Sequence, residues 1–211
     1  MQSLLAEKES EMLWERLRQN RKITAILARA PRLGMKDWYL GAGCIAQTVW
    51  NELGGYPPEN NIKDYDLVYF DDSDLSLEAE DSYVRRGTSL FRDLHVYVEI
   101  KNEARVHLWY KDHFGKPFEY LDSRGKKSEV YGSVEDAIST WPTTATSIGV
   151  KLDEEGRFEA FAPFGLDDLF NMVVRPNKRG VPREVYVEKA SRWLSLWPQL
   201  KVIPWDDPSS Q

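Results

Sequence analysis

The segment Leu40-Gly41-Ala42-Gly43-Cys44, followed by Lys63-Asp64-Tyr65-Asp66-Leu67-Val68, constrains this chain more than any other stretch. Trp38 to Leu40 predicts a short strand, Gly41 to Gly43 a turn, and Ile45 to Leu53 a helix stopped by Gly54-Gly55 and Pro57-Pro58. Asp64 to Phe70 is rich in aromatic and branched residues and predicts the next strand, closed by the turn formers Asp71-Asp72-Ser73-Asp74. The order is strand, glycine turn, helix, strand.

That order brings two chemistries together. Alternate residues of a strand point the same way, so Asp64 and Asp66 project from one face about 7 Å apart at the backbone. Two hard anions suit magnesium, which prefers oxygen ligands and keeps waters that phosphates replace. A pair of such ions stabilises the attacking and the leaving oxygen of an in-line displacement at phosphorus. A glycine turn opening a helix lets backbone N–H groups approach phosphate oxygens without a side chain in the way. An isolated Asp-x-Asp is more often the solvent face of an edge strand, and Gly-Ala-Gly alone can reflect close helix packing. Within one short unit they point to phosphoryl chemistry.

The rest of the chain supplies a frame. Leu4, Leu5, Met12, Leu13, Leu17, Ile23, Ile26 and Leu27 recur at helical spacing, predicting one or two amphipathic helices over Ser3 to Ala30, ending before Pro31. Ser76, followed by Glu78, Glu80 and Asp81, opens a helix with Leu77, Val84 and Phe91 as its apolar stripe, ending near Asp93. His95 to Ile100 predicts a third strand, with Val96, Val98 and Ile100 on one face and His95, Tyr97, Glu99 and Lys101 on the other. Ala104 to His113 reads equally as strand or helix, Gly115 to Gly132 as a polar loop, and Val134 to Thr140 as a short helix. Thr143 to Val150 and Phe158 to Phe161 form a hairpin across Asp153-Glu154-Glu155-Gly156. Helices follow over Leu166 to Val174 and Arg183 to Trp197.

Length and charge narrow the class. A chain of 211 residues suits one compact domain over 1–205, with an N-terminal helical layer (1–30), core motifs (38–101), a C-terminal helical cap (163–205) and a disordered tail (206–211). The single cysteine, Cys44, excludes an intramolecular disulfide framework and a cysteine-rich zinc site, which favours a reducing, cytoplasmic setting. Glu7, Glu9, Glu11 and Glu15 come too early for a signal peptide, and no apolar run is long enough to span a bilayer. A net charge of −6 argues against a broad nucleic-acid surface, while a local basic face remains able to take a nucleotide or a small RNA.

Leu40-Gly41-Ala42-Gly43-Cys44 with Asp64-Tyr65-Asp66-Leu67 resembles the signature of polymerase-beta-like nucleotidyltransferases, a hydrophobic-Gly-Gly/Ser element before an Asp-x-Asp/Glu strand. Over nearly its full length, including Ala104-Arg105-Val106-His107-Leu108-Trp109-Tyr110 and Ala162-Pro163-Phe164-Gly165-Leu166-Asp167-Asp168-Leu169-Phe170, the chain also resembles a little-characterised family of nucleotidyltransferase-like proteins. The resemblance implies an α/β (α+β) fold with a mixed twisted sheet flanked by helices. It implies that Gly41, Ala42, Gly43 and the Cys44 backbone, with Lys63 beside them, bind the nucleotide, and that Asp64 and Asp66 hold magnesium. Two ions are expected, with manganese as a substitute, and a third metal-binding carboxylate comes from the next strand. Glu99, on the polar face of that strand, fills this role, with Glu103 as the alternative should the strand be shifted. Two features depart from the pattern: Cys44 stands where relatives often carry Ser or Thr, and the stretch between Gly43 and Asp64 is longer than usual.

Other candidates read more weakly. His107 on a strand would share a face with Arg105 and Trp109, able to grip a base, although an interior histidine is the commoner outcome. Arg175, Lys178, Arg179, Arg183, Lys189 and Arg192 form the most basic region, a dock for a triphosphate tail or tRNA end, or a solvated helix face. Asp167 and Asp168 suit a helix start, and Trp193, Trp197 and Trp205 suit packing of the last helix or an aromatic platform for a base. The expected function is transfer of a nucleoside monophosphate from an NTP such as ATP to a hydroxyl or phosphate acceptor, with Asp64, Asp66 and Glu99 catalytic. The acceptor, whether small molecule, RNA or protein, is open, and no membrane partner is expected. A non-catalytic nucleotide- or protein-binding module, or a toxin-like enzyme that modifies tRNA, are the alternatives.

Overall fold

A computed structural model describes residues 7–208 apart from Ser123 and Glu154. The expected helix start at Ser3, the turn residue Glu154 and the tail end 209–211 lie outside the described residues. The amino-terminal layer is two helices, α1 (Glu7–Leu17) and α2 (Arg21–Arg29), which bury Leu13, Leu17, Ile23, Ile26 and Leu27. Asn20 separates them: its side-chain oxygen accepts from the N–H groups of Lys22 (2.9 Å) and Ile23 (3.2 Å), capping α2. Pro31 does not stop the chain's coiling at once, because proline is tolerated at a helix start and here sits in a 3-10 turn over Ala30–Leu33.

β1 (Tyr39–Gly41) then leads into α3 (Gly43–Gly54), whose residues from Gly43 to Asn51 are all buried. Gly55, at φ +73°, ends α3 in the left-handed conformation that glycine adopts without strain. β2 (Asp64–Tyr69) follows, and α4 (Leu77–Leu90) begins at the expected cap, the Ser76 hydroxyl accepting from the Ala79 N–H at 3.2 Å. The stripe expected on α4 is only partly the buried one. Phe91 is buried, but Leu77 and Val84 are exposed, because Gly87 lets α4 close directly onto Ile100 and thereby selects a different face.

β3 spans Tyr97–Asn102, two residues later than expected, since His95 (φ +52°) is absorbed in the turn that closes a 3-10 segment at Arg92–Leu94. The shift is even, so the alternation of faces survives it. The ambiguous segment after β3 is α5 (Val106–Phe114). Gly115 to Gly132 is more than a polar loop: it carries a small hairpin, β4 (Tyr120–Leu121) with β5 (Lys127–Ser128), and packs Phe118, Tyr120 and Tyr131 against Val106 and Tyr110 of α5. α6 (Val134–Ile138) matches expectation, capped by Ser133.

The expected hairpin is β6 (Gly149–Leu152) with β7 (Phe158–Phe161), antiparallel. Its first strand starts late, because the Thr143 side chain accepts from the Thr146 N–H and winds Thr144–Thr146 into a 3-10 turn. The helix expected over Leu166 to Val174 is a single turn, α7 (Asp167–Phe170). Met172 at φ +55° breaks it, and β8 (Val173–Val174) leaves in extended form. α8 (Arg183–Leu196) and β9 (Lys201–Val202), parallel to β8, complete the chain.

The main sheet has the order β3-β2-β1-β6-β7. β2 and β3 are parallel, joined by the α4 crossover, while β1 is antiparallel to both β2 and β6, so the sheet is mixed. Its core face buries Leu40, Tyr65, Leu67, Ile100 and Val150 beneath α1, α2 and α3. α8 docks on α3 through tryptophans: Trp50 meets Trp193 edge-on at 5.5 Å and Trp197 at 5.9 Å, and the Trp197 Nε1–H donates to Asn51 Oδ1 at 2.8 Å.

Candidate active site

A cavity of about 670 Å³ opens beside the sheet where β1 turns into α3. On β2 the alternation is sharp. Tyr65, Leu67 and Tyr69 enter the core, while Asp64, Asp66 and Val68 line the cavity. β3 continues the pattern with Glu99 and Lys101, and the parallel register sets Glu99 opposite Asp66. Glu103, in the 3-10 turn after β3, lines the same cavity and is buried.

The glycine turn forms the neighbouring wall. Gly41 admits no side chain: a Cβ there would lie 2.6 Å from the Ile148 carbonyl oxygen and 2.8 Å from the Trp141 ring. Ala42 is strained, at φ +59° and ψ −133°, and is held there as its N–H donates to Ile148 O at 3.0 Å. Gly43 opens α3, and no side chain caps the first N–H groups of that helix. Those groups and the helix dipole make the turn a seat for an anion.

Charge shapes the site further. Burial, then the nearby charges of Asp64 and Glu99, push the Asp66 carboxyl up to about 7. Burial likewise raises Glu103 to about 7, opposed by Lys101. Lys101 Nζ pairs with Glu99 at 3.0 Å. Burial works to lower the Lys101 ammonium, but its hydrogen bond to Glu99 and the charges of Glu99, Glu103 and Asp66 outweigh that and hold it above its ordinary value. Glu80 is committed elsewhere, to an ion pair with Arg105 and to the Asn102 N–H at 2.8 Å.

Asp64, Asp66, Glu99, Ala42 and Gly43 are therefore brought to one cavity. Cys44 faces the core: its thiol is fully buried, donates to Gly41 O at 3.1 Å, and is pushed up by burial and by Asp66, so it is no thiolate. Lys63 is exposed and borders a small adjoining cleft with Asn61 and Arg192. His107 does not share a face with Arg105 and Trp109, because the segment is helical: Arg105, paired with Glu80, lines the cavity with Trp109 and His113, and His107 does not. Asp168 does not cap α7 but pairs with Arg175 at 2.9 Å and accepts from the Thr144 hydroxyl at 2.6 Å.

Within the basic region, Lys178 lies over Trp205, Arg179 over Phe164, and Arg183 pairs with Asp206, whereas Lys189 and Arg192 line the cavity. Sequence reasoning missed Gln47 and gave Trp193 a packing role or a place on an aromatic base platform, and both residues border the cavity. Spacing carried a signal for each. Gln47 is one helical turn after Gly43, and Lys189, Arg192 and Trp193 stand at i, i+3 and i+4 of one helix.

A mixed sheet with a glycine turn into a buried helix and paired acids on the adjacent strand is the fold of the polymerase-beta-like nucleotidyltransferases. The chain belongs to the Nucleotidyltransferase family, whose model matches residues 28–202. It is similar to a solved structure described as revealing a CCA-adding enzyme head domain, at 27% identity and a TM-score of 0.69, covering 92% of this chain and 95% of that one. Two weaker similarities are to a Thermotoga maritima CCA-adding enzyme complexed with tRNA (15% identity, TM-score 0.46) and to a CCA-adding enzyme with ATP (14%, 0.44). These cover 97% and 96% of this chain but 44% and 43% of theirs. A comparison with curated proteins gave no match. Among the described residues no helix is long and apolar enough to cross a membrane.

Proposed function

We propose that the protein transfers a nucleoside monophosphate from an NTP to a hydroxyl or phosphate acceptor and releases pyrophosphate. The observation that carries this reading is the meeting of Asp64, Asp66 and Glu99 with the uncapped glycine turn in one cavity. Ala42 and Gly43 receive the phosphates at the start of α3, and the acids stand across from them on β2 and β3.

The donor set suits magnesium. Its oxygens are hard ligands, and the upward push on Asp66 from Asp64 and Glu99 is a crowding of negative charge that a cation relieves. Among the described residues no three acids cluster tightly enough to enclose an ion alone. Asp64 and Asp66 offer the kind of partial site that magnesium would complete with water and phosphate oxygens, and Glu99, now paired with Lys101, would be the third carboxylate to hold it. Bound there, magnesium neutralises the charge that develops on the reacting phosphoryl group. The protein's own part is to align the α-phosphorus with the acceptor oxygen and to receive the acceptor proton on a carboxylate.

Incubation with each labelled NTP, magnesium and a fractionated cell extract tests the reading. Label should pass to one fraction with release of pyrophosphate, and Asp64→Asn should abolish both. If label transfer fails with every NTP, or survives Asp64→Asn, the protein is a binding module that keeps the fold.

A further inference from the structure

We propose that the face of α8 bearing Lys189, Arg192 and Trp193 forms, with Gln47 of α3, the seat for the two terminal phosphates of the bound NTP. This rests on the nucleotidyl-transfer reading and adds to it the part of the molecule that holds the leaving group.

Two buried polar atoms carry the inference. Gln47 is 4% exposed and Trp193 2%, both border the cavity, and neither Gln47 Oε1 nor Trp193 Nε1 has a hydrogen-bond partner in the protein. Orphaned polar atoms are costly inside a protein, and just behind a cavity wall a small side-chain rotation lets a ligand complete their bonding. Their position is specific. A Cβ on Gly43 would lie 2.7 Å from Gln47 Nε2, so the Gln47 amide rests against the glycine turn itself, beside the uncapped N–H groups of α3.

The charges point the same way. Lys189 and Arg192 border the cavity with them, and among the described residues neither makes an ion pair with a carboxylate. Lysine, arginine and the indole N–H can only donate, and the soft terminal torsion of glutamine can turn its NH₂ toward the same ligand. A wall built of donors calls for a ligand built of acceptors, and a pyrophosphate group is one. In transfer, the acceptor oxygen bonds to the α-phosphorus while the bond from that phosphorus to the α,β-bridging oxygen breaks. The electron pair stays on the pyrophosphate, and the acceptor proton passes to a carboxylate. Lys189 and Arg192 stand where that charge arrives.

Calorimetric titration of the whole protein with magnesium pyrophosphate tests this. The wild type should bind it, and Arg192→Gln and Trp193→Phe should each weaken binding by about 10- to 100-fold. A nucleoside monophosphate, which lacks the leaving group, should bind wild type and variants alike. The seat is overturned if the wild type ignores pyrophosphate or if both variants bind it as the wild type does. Pyrophosphate binding without any nucleotidyl transfer would count against the proposed reaction alone, and transfer with unaltered pyrophosphate binding in the variants against this seat alone.

Discussion

Asp66 and Glu99 face each other in register across the parallel pair of β2 and β3, each with its carboxylate on the cavity side of the sheet. Two anions so placed repel: burial, then Asp64 and Glu99, raise the Asp66 carboxyl, and Lys101 captures Glu99. The site is built at a cost to the fold, as sites that gather charge for chemistry are.

Asp66→Asn should therefore separate stability from activity. With its carboxyl near 7, Asp66 is charged at pH 8 and largely protonated at pH 5. The variant should be much more stable than wild type in urea at pH 8, less so at pH 5, and equal to it only below the ordinary value of 3.8, where folded and unfolded chains both hold the proton. Nucleotidyl transfer should fall by about 100-fold or more, as when a group that stabilises transition-state charge is removed. Loss of stability at pH 8 would contradict the electrostatic account.

Glu103 sets a slope of stability against pH. Burial raises it from an ordinary 4.5 to about 7, so between those values the folded protein holds a proton that the unfolded chain has released. Stability then falls as pH rises across that window and levels off above it, by about 3 kcal/mol in all. Glu103→Gln should reduce the slope to the part that Asp66 sets, measured by denaturation at pH 5 and pH 8.

The strained turn offers a third test. Ala42→Gly should stabilise the protein by about 1 kcal/mol, since glycine adopts φ +59° freely. Gly41→Ala should cost about 1–3 kcal/mol, because its Cβ would press on the Ile148 backbone rather than on a flexible side chain. Thermal melting distinguishes the two.

Asn51 ties α3 to the end of α8 and to the loop that follows α3. Its side chain accepts from Trp197 Nε1 and donates to Asn60 O at 2.8 Å and Pro58 O at 3.2 Å. Asn51→Ala should destabilise by about 1–3 kcal/mol and loosen α8, raising KM for the NTP as Lys189 and Arg192 lose their fixed position. Trp197→Phe should produce a smaller version of both effects. An unchanged KM in a folded Asn51→Ala protein would show that α8 is held by its tryptophans alone.

The strand-turn-helix-strand unit was legible in the sequence because local rules decide it: glycine at a close approach, branched and aromatic residues in strands, and alternation that places Asp64 and Asp66 on one side. The same alternation kept Glu99 on the site face although β3 begins two residues later than expected. Tertiary context alone decided the rest. Which face of α4 is buried depends on the approach of Gly87 to Ile100, and the helix expected over Leu166 to Val174 ends early where Met172 takes a positive φ and β8 finds β9. From sequence, Lys189 and Arg192 read either as a dock for a triphosphate tail or as a solvated helix face, and nothing local decided between the two. Docking of α8 on α3 through Trp50, Trp193 and Trp197 turns that face to the cavity, and such contacts between residues far apart in the chain leave no local pattern to read.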